Sequence, residues 1–193
     1  MKSDSKLMLA FQKGDEEAFS ILFDKHVKGV LNLLFRYVRD RYIAEDLSQE
    51  VFLRLYRYRD KYKPSAKFTT FLYTITTNLA LNYIRDNKKR KMAVFSTLSA
   101  NDTSTELSMQ IPNPKSFEPS YNLEQEEMQR IVLESIDKLP DSQKIAIHLS
   151  KYLDMSHEEI ADVMKITSAA VKSLLSRARD NLRKILQPIL DNI

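Results

Sequence analysis

KFTTFLYTITTNLALNYIRDNKKRK, residues 67–91, is the stretch whose reading decides the fold. Phe68, Phe71, Leu72, Ile75, Leu79 and Tyr83 recur mostly three and four apart, the period of one face of an α-helix. Tyr73, Thr77, Ala80 and Ile84 make a flanking stripe, so the helix should have neighbours on two sides. Five threonines work against a helix, because branched side chains lose rotamer freedom against the preceding turn. A strand is the rival reading, and Tyr73-Thr74-Ile75-Thr76 does alternate. Six in-phase positions over sixteen residues, with no Gly or Pro among them, favour the helix. It runs out into Arg85–Lys91, five cations against one anion. Aromatic faces for unstacked bases and a cationic end for phosphates would make a nucleic-acid surface. A core helix with a solvated basic end has the same pattern, so the rest of the chain must separate the two.

The chain has 193 residues, room for one ordinary domain or two small ones. Its hydrophobic content of 43% beside 29% charged residues suits a soluble globular protein with a buried core. Two glycines argue against turn-rich β folds and against a glycine-lined phosphate loop. Without cysteine there are no disulfides or thiolate metal sites, which agrees with a reducing cytoplasm. No apolar run approaches a membrane span, and the charged N-terminus does not read as a signal peptide. The net charge of +4 is unevenly spread. Residues 1–91 carry 19 Lys and Arg against 11 Asp and Glu, whereas 92–127 carry one against six. The basic first half suits a polyanion.

Lys6 to Lys25 reads as a first helix, broken or bent near Gly14, with Asp15 as N-cap and Ala18, Phe19, Leu22 and Phe23 buried. The helical period continues from His26 to Arg39, and Arg39-Asp40-Arg41 reads as a turn. In the next helix, Ala44–Asp60, Leu47, Val51, Leu55 and Tyr58 should be core. Asp46, Glu50, Leu53 and Arg57 share another face. That face is either a solvated one with a Glu50–Arg54 pair or a docking surface centred on Leu53. Pro64 marks a loop, Lys61–Lys67, that leads into the quoted helix.

From Phe95 to Asn122 the chain is rich in Ser, Thr and Asn, holds three prolines and has no sustained period. It reads as an acidic flexible linker. Beyond it, Met128, Ile131, Val132, Ser135 and Ile136 mark a helix ended by Leu139-Pro140, and another spans Ser142–Leu153. Ser156 with Glu159 is a capping box, with Ile160, Ala161 and Met164 as the buried face of the helix it starts. After a break at Lys165-Ile166-Thr167, Thr167 or Ser168 caps a longer helix. Its seam is Val171, Leu175, Ala178, Leu182 and Ile185, and its outer face carries Lys172, Ser173, Ser176, Arg177, Arg179, Arg183 and Lys184. A short helix, a tight break and a second helix with a cationic face form the helix-turn-helix pattern, whose second helix enters the major groove. Lys165 lies where that turn prefers glycine, at a cost of about 1 kcal/mol.

His26, His148 and His157 have no metal-ligand spacing, and no nucleophile motif or dinucleotide fingerprint is present. No metal site, cofactor or small-molecule substrate is expected, and an enzyme is the weakest class.

Four motifs in order give the chain a resemblance. Gly14–Phe19 resembles the opening of the sigma-70 family of bacterial RNA polymerase sigma factors, in its extracytoplasmic-function (ECF) type. Ala44–Phe52 resembles that family's polymerase-binding helix, and Phe68, Phe71, Leu72, Asn78 and Arg85 its aromatic, basic-ended helix. Glu158–Ala161, Val171–Ser173 and Arg177–Arg179 resemble its promoter-reading helix-turn-helix. Phe71 replaces a frequent tryptophan, Asn82 an aspartate, Ala169-Ala170 a Gly-Thr pair and Leu174 an arginine.

The resemblance implies an all-α fold of two small helical domains joined by a flexible linker. Residues 1–91 would be the region 2 domain, 92–120 the linker and 121–193 the region 4 helix-turn-helix domain. It also implies an alternative sigma factor acting in the cytoplasm, with core RNA polymerase (clamp and flap) and promoter DNA as partners. An anti-sigma protein is a common further partner in the family, though no residue here demonstrates one. Asp46, Gln49, Glu50 and Leu53 would meet the polymerase. The loop with Tyr62, as a stacking aromatic, and Lys63 would hold the unpaired minus-ten strand with Asn78, Asn82, Arg85, Lys88, Lys89 and Arg90. Thr167, Ser168, Lys172, Ser173, Ser176, Arg177 and Arg179 would meet the minus-thirty-five element. The rival classes are a helix-turn-helix repressor or activator that never enters polymerase, and a helical adaptor whose basic faces are simply solvated.

Overall fold

Every regular element among the described residues (3–64, 67–98 and 123–190) of the computed structural model is helical. Helices α1 (Asp4–Gln12), α2 (Glu16–Val38), α3 (Arg41–Arg57) and α4 (Phe68–Leu98) belong to one unit, Met1–Pro112. Helices α5 (Leu123–Asp137), α6 (Asp141–Tyr152), α7 (His157–Met164) and α8 (Ser168–Leu190) belong to a second, Asn113–Ile193. Helix α4 continues to Leu98, beyond the linker start expected at residue 92. The remainder of the expected linker, 99–120, lies outside the described residues.

In the first unit the chain break falls at Gly14, whose φ of +96° suits a residue without a side chain. The Asp15 carboxylate then accepts from the Ala18 amide at 3.1 Å and starts α2. The expected break near Gly14 is thus present: α1 stops at Gln12, and α2 runs from Glu16 to Val38, continuing through His26 as the helical period indicates. Arg39 ends α2 in the left-handed conformation at φ 57°, and the Asp40 carboxylate caps α3 through the Ile43 amide. Asp4 holds α1 on α2, its carboxylate 2.6 Å from Lys25 Nζ and 3.0 Å from His26 Nε2. Burial pushes the His26 imidazole below its ordinary value, and the neighbouring Asp4 opposes that shift.

Helix α4 packs on α3, α2 and α1. Its buried face is centred on Leu72, Tyr73, Thr76, Thr77 and Ala80, with Phe68 buried at its start. Phe71, Ile75 and Tyr83, expected on the central line, are only half-buried. Packing between two partners rotates the buried arc toward the strip where the two predicted stripes meet. Threonine suits that strip because its hydroxyl can bond back to its own helix: Thr76 Oγ1 donates to the Leu72 carbonyl at 3.0 Å and Thr74 Oγ1 to the Thr70 carbonyl at 2.7 Å. Opposite them, a Cβ on Gly29 of α2 would lie 3.1 Å from the Tyr73 hydroxyl.

The seam between α2 and α3 differs from expectation at its rim. Ala18, Leu22 and Val30 of α2 are buried, but Phe23 is exposed and Phe19 half-exposed. On α3, Ala44, Ser48, Val51, Phe52 and Leu55 are buried, whereas Leu47 is half-buried and Tyr58 exposed. Two helices in contact enclose only a narrow strip, so the aromatics beside it close the edge instead. Phe23 meets Phe52 edge-on at 4.7 Å between ring centroids, and Phe19 meets Tyr56 at 5.4 Å.

In the second unit, the capping box forms as expected. The Ser156 hydroxyl accepts from the Glu159 amide at 3.2 Å, and the Glu159 carboxylate accepts from the Ser156 amide at 2.8 Å. Helix α7 buries Ile160, Ala161 and Val163, and Met164 is half-buried instead of core. Lys165 does take the left-handed conformation, at φ 56°. Thr167, not Ser168, caps α8 by accepting from the Ala170 amide at 3.2 Å. Helix α8 buries Val171, Leu175 and Ala178 against α5, α6 and α7, and Leu182 and Ile185 are half-buried.

The Gly29–Tyr73 approach gives a direct test. By helix propensity alone, Gly29→Val should be neutral or stabilising. The contact instead predicts a loss of about 1–3 kcal/mol from overpacking. Thermal unfolding should show a lowered midpoint, partly recovered when Tyr73→Phe removes the hydroxyl. A midpoint at or above the parent's would show that α2 and α4 are not held at this distance.

Candidate nucleic-acid and protein interfaces

Three surfaces remain once the cores are accounted for. The first is the outward face of α3. Asp46, Gln49 and Leu53 are exposed there, and Leu53 leaves 50% of its surface open. Glu50 is half-buried and accepts from Arg54 Nε at 2.7 Å, so the expected pair is present beside the open leucine. Tyr56, one turn beyond Leu53, and Phe23 across the seam are also exposed. Both were missed in the sequence, where helical spacing alone assigned Phe23 to the core. Leucine and aromatics among carboxylates give a surface with apolar anchors and a polar rim, the make-up of a protein contact.

The second surface comprises the segment after α3 and the open flank of α4. A 3-10 turn over Arg59–Lys61 leads to Tyr62, Lys63 and Pro64. Lys63 is exposed, but Tyr62 is 3% exposed. Its ring packs 5.5 Å from that of Phe71 and 6.3 Å from that of Phe68, and its hydroxyl donates to Ser5 Oγ at 2.9 Å. The expectation that Tyr62 stacks on a DNA base is therefore corrected. Its ring faces are already covered, because the loop turns the side chain inward between α1 and α4. On α4, Asn78 is half-buried, and Asn82 and Arg85 are exposed and joined, Arg85 Nη2 donating to Asn82 Oδ1 at 3.2 Å. Lys88, Lys89 and Arg90 are exposed in the following turns. Burial holds the Tyr83 phenol above its ordinary value; Asp40 adds to this and Arg90 opposes it.

The third surface is the open side of α7 and α8. Lys172, Ser173, Ser176, Arg177 and Arg179 are all exposed along one flank of α8, with Arg183 and Lys184 farther on. Arg179 Nε donates to the Leu175 carbonyl at 3.2 Å, which ties it to its own helix. Thr167 is exposed but uses its hydroxyl as the cap, and Ser168 is half-buried. The Glu158 carboxyl lies below its usual range, held first by its backbone amide and the Ser156 side chain, with His157 and Lys172 adding positive charge. A long helix with a cationic face, packed against a short capped helix, is the geometry of major-groove readers.

Among the described residues, no group of His, Asp and Glu is placed to hold a metal ion, and no helix is long and apolar enough to cross a membrane.

Two helical units, one with an acidic-apolar face and a basic helix end, the other with a helix-turn-helix, have the make-up of a modular DNA-binding protein. Residues 22–90 match the family described as Sigma-70 region 2, and residues 129–182 match Sigma-70, region 4. The chain is 31% identical over 190 residues to the RNA polymerase sigma-H factor of Pseudomonas aeruginosa, covering 98% of this chain and 96% of that protein. It is 32% identical to the ECF RNA polymerase sigma-E factor of Escherichia coli K12, covering 97% and 96%. Among solved structures, CnrH in complex with the cytosolic domain of CnrY has a similar fold, with a TM-score of 0.69 at 19% identity over 97% of this chain and 99% of that one. The sigma factor RpoE of Bartonella quintana, in complex with the anti-sigma factor NepR, gives a TM-score of 0.64 at 20% identity, covering 88% and 96%. The chain belongs to the sigma-70 family and is of the ECF type. It is an alternative sigma factor, a non-enzymatic subunit that binds core RNA polymerase and directs promoter recognition, melting and initiation.

The α3 surface carries the next prediction. Leu53→Glu places a charge on an open position, so helical content and melting temperature should change little. Affinity for core polymerase should fall at least tenfold, because a central apolar anchor is typically worth about 2 kcal/mol or more. Co-purification and thermal unfolding of the same variant provide both readings.

Proposed function

We propose that the three surfaces divide the initiation task. The outward face of α3, through Asp46, Gln49, Glu50 and Leu53, meets the polymerase clamp, with Phe23 and Tyr56 extending the apolar part. The segment around Lys63 and the open flank of α4, through Asn78, Asn82 and Arg85, hold the unpaired minus-ten strand. Lys88, Lys89 and Arg90 lie on its phosphates. Helix α8 reads the minus-thirty-five element from its N-terminal half, and the unit that carries it meets the flap.

The observation that carries this reading is the two-sidedness of α8. Val171, Leu175 and Ala178 are buried while Lys172, Ser173, Ser176 and Arg177 between them are open. A helix held by one apolar stripe can present only the opposite side to a groove. Thr167 and Ser168 stand at the helix N-terminus, where they and its amides can meet phosphate. The domain limits follow the helices, with α4 extending the first domain to Leu98 and residues 99–120 as the linker. The protein acts in the cytoplasm, where its polymerase works. Because the solved relative RpoE is bound to the anti-sigma factor NepR, an anti-sigma protein belongs among the partners to be sought.

Run-off transcription by core polymerase reconstituted with this chain tests the whole reading. A randomised promoter library then separates the roles along α8. Arg177 has the planar fork suited to guanine, and a good bidentate contact is worth about 1–3 kcal/mol of discrimination. Arg177→Ala should relax preference at one or two base pairs. Lys184→Ala, farther along, should weaken binding uniformly and lower the salt slope by about one unit. An unchanged preference profile for Arg177→Ala would leave Lys172 and Ser173 as the base readers.

A further inference from the structure

The end of α1 is tied to the segment between α3 and α4 by side chains that the three surfaces leave unused. The Gln12 side chain donates from Nε2 to the Arg59 carbonyl at 2.6 Å and to the Tyr62 carbonyl at 2.9 Å. Both partners are acceptors, so both bonds need the NH2 end of the amide, and a carboxylate of the same size cannot make either. Beside it, Phe11 is fully buried under Arg59, whose guanidinium carbon lies 5.3 Å from the Phe11 ring centroid and 5.1 Å from that of Tyr56. Two turns earlier, Ser5 accepts the Tyr62 hydroxyl. Helix α1 therefore grips this segment by a ring, by two carbonyls and by a buried phenol.

The grip matters because the segment holds itself weakly. Its internal backbone bonds are the short turn from the Lys61 amide to the Tyr58 carbonyl at 2.9 Å and from the Tyr62 amide to the Arg59 carbonyl at 3.2 Å. Tyr62 is already extended, at φ −67° and ψ 130°, and the exposed Lys63 and Pro64 follow. The Tyr62 carbonyl and the Lys63 amide belong to one planar peptide unit. A donor that fixes the carbonyl therefore fixes the direction in which the chain leaves the core toward Lys63.

We propose that Gln12 is a positioning residue for strand capture. It touches no DNA, but its amide aims the Lys63 segment at the unpaired minus-ten strand. This rests on the reading above that the segment around Lys63 holds that strand, and the test separates the two. Polymerase reconstituted with this chain is titrated with a labelled single-stranded oligonucleotide carrying the non-template minus-ten region of a promoter that the parent opens. Gln12→Met keeps length and removes both donors; Gln12→Lys restores a donor. Loss of two orienting hydrogen bonds predicts about tenfold weaker capture for Gln12→Met. Affinity for core polymerase should be unchanged, and Gln12→Lys should lie closer to the parent than to Gln12→Met. Unchanged capture by Gln12→Met, equal losses in the two variants, or a parallel loss of core affinity overturns the proposal, the last by making α1 a general support of the fold. Lys63→Ala distinguishes the underlying reading. Weaker capture with Lys63→Ala but not with Gln12→Met removes the role of Gln12 alone. Unchanged capture with Lys63→Ala removes the strand-holding role of the segment, and the inference with it.

Discussion

Helices α2 and α3 both pack on α4, and a helix with two close neighbours needs small side chains where they meet. Thr76 and Thr77 are fully buried there, and the Thr76 hydroxyl is bonded back to the Leu72 carbonyl. A larger apolar residue would hold the neighbours apart, and a polar group without a partner would cost about 1–3 kcal/mol. Gly29 meets the same constraint from the other side, leaving room for the Tyr73 hydroxyl. The threonines that weaken α4 as an isolated helix therefore allow it to serve as the centre of the first unit.

That arrangement also determines what stays open. With its middle enclosed, α4 can offer only one flank and its basic end, so Asn82, Arg85 and the cations after them are left outside. Helix α3, buried along Ala44, Ser48, Val51 and Leu55, is forced to show Asp46, Gln49 and Leu53 on its other side. One set of packing contacts thus separates an acidic-apolar face from a basic one. The separation suits a subunit that must hold a protein and a nucleic acid together. In the second unit the division is made within one helix, since α8 buries Val171, Leu175 and Ala178 and exposes the cations between them.

Much of this was legible in the sequence, because helical period and caps are local properties. The Asp15 cap, the Ser156–Glu159 box, the left-handed Lys165 and the first half of the α8 seam, Val171, Leu175 and Ala178, stand as the spacing predicts. Each depends on residues within one or two turns, so neighbours in the chain are enough to specify them. The outward position of Leu53 was legible for the same reason: it stands out of phase with the buried stripe of its own helix. The cationic face of α8 follows likewise once the seam is assigned.

Only the tertiary structure decided how wide each buried stripe is and which aromatics complete it. Phe23 and Tyr58 have helical spacing but lie beyond the strip that a neighbouring helix covers, whereas Thr76 and Thr77 lie within it. Tyr62 stands in a loop whose sequence looks open, yet α1, some fifty residues away along the chain, accepts from its hydroxyl and donates to its carbonyl. Composition and period by themselves determined that this chain is helical, where its helices are capped and which face of the last one is cationic. They could not determine what Gln12 holds or where Tyr62 points, because those contacts join segments that meet only when α1, α3 and α4 have packed together.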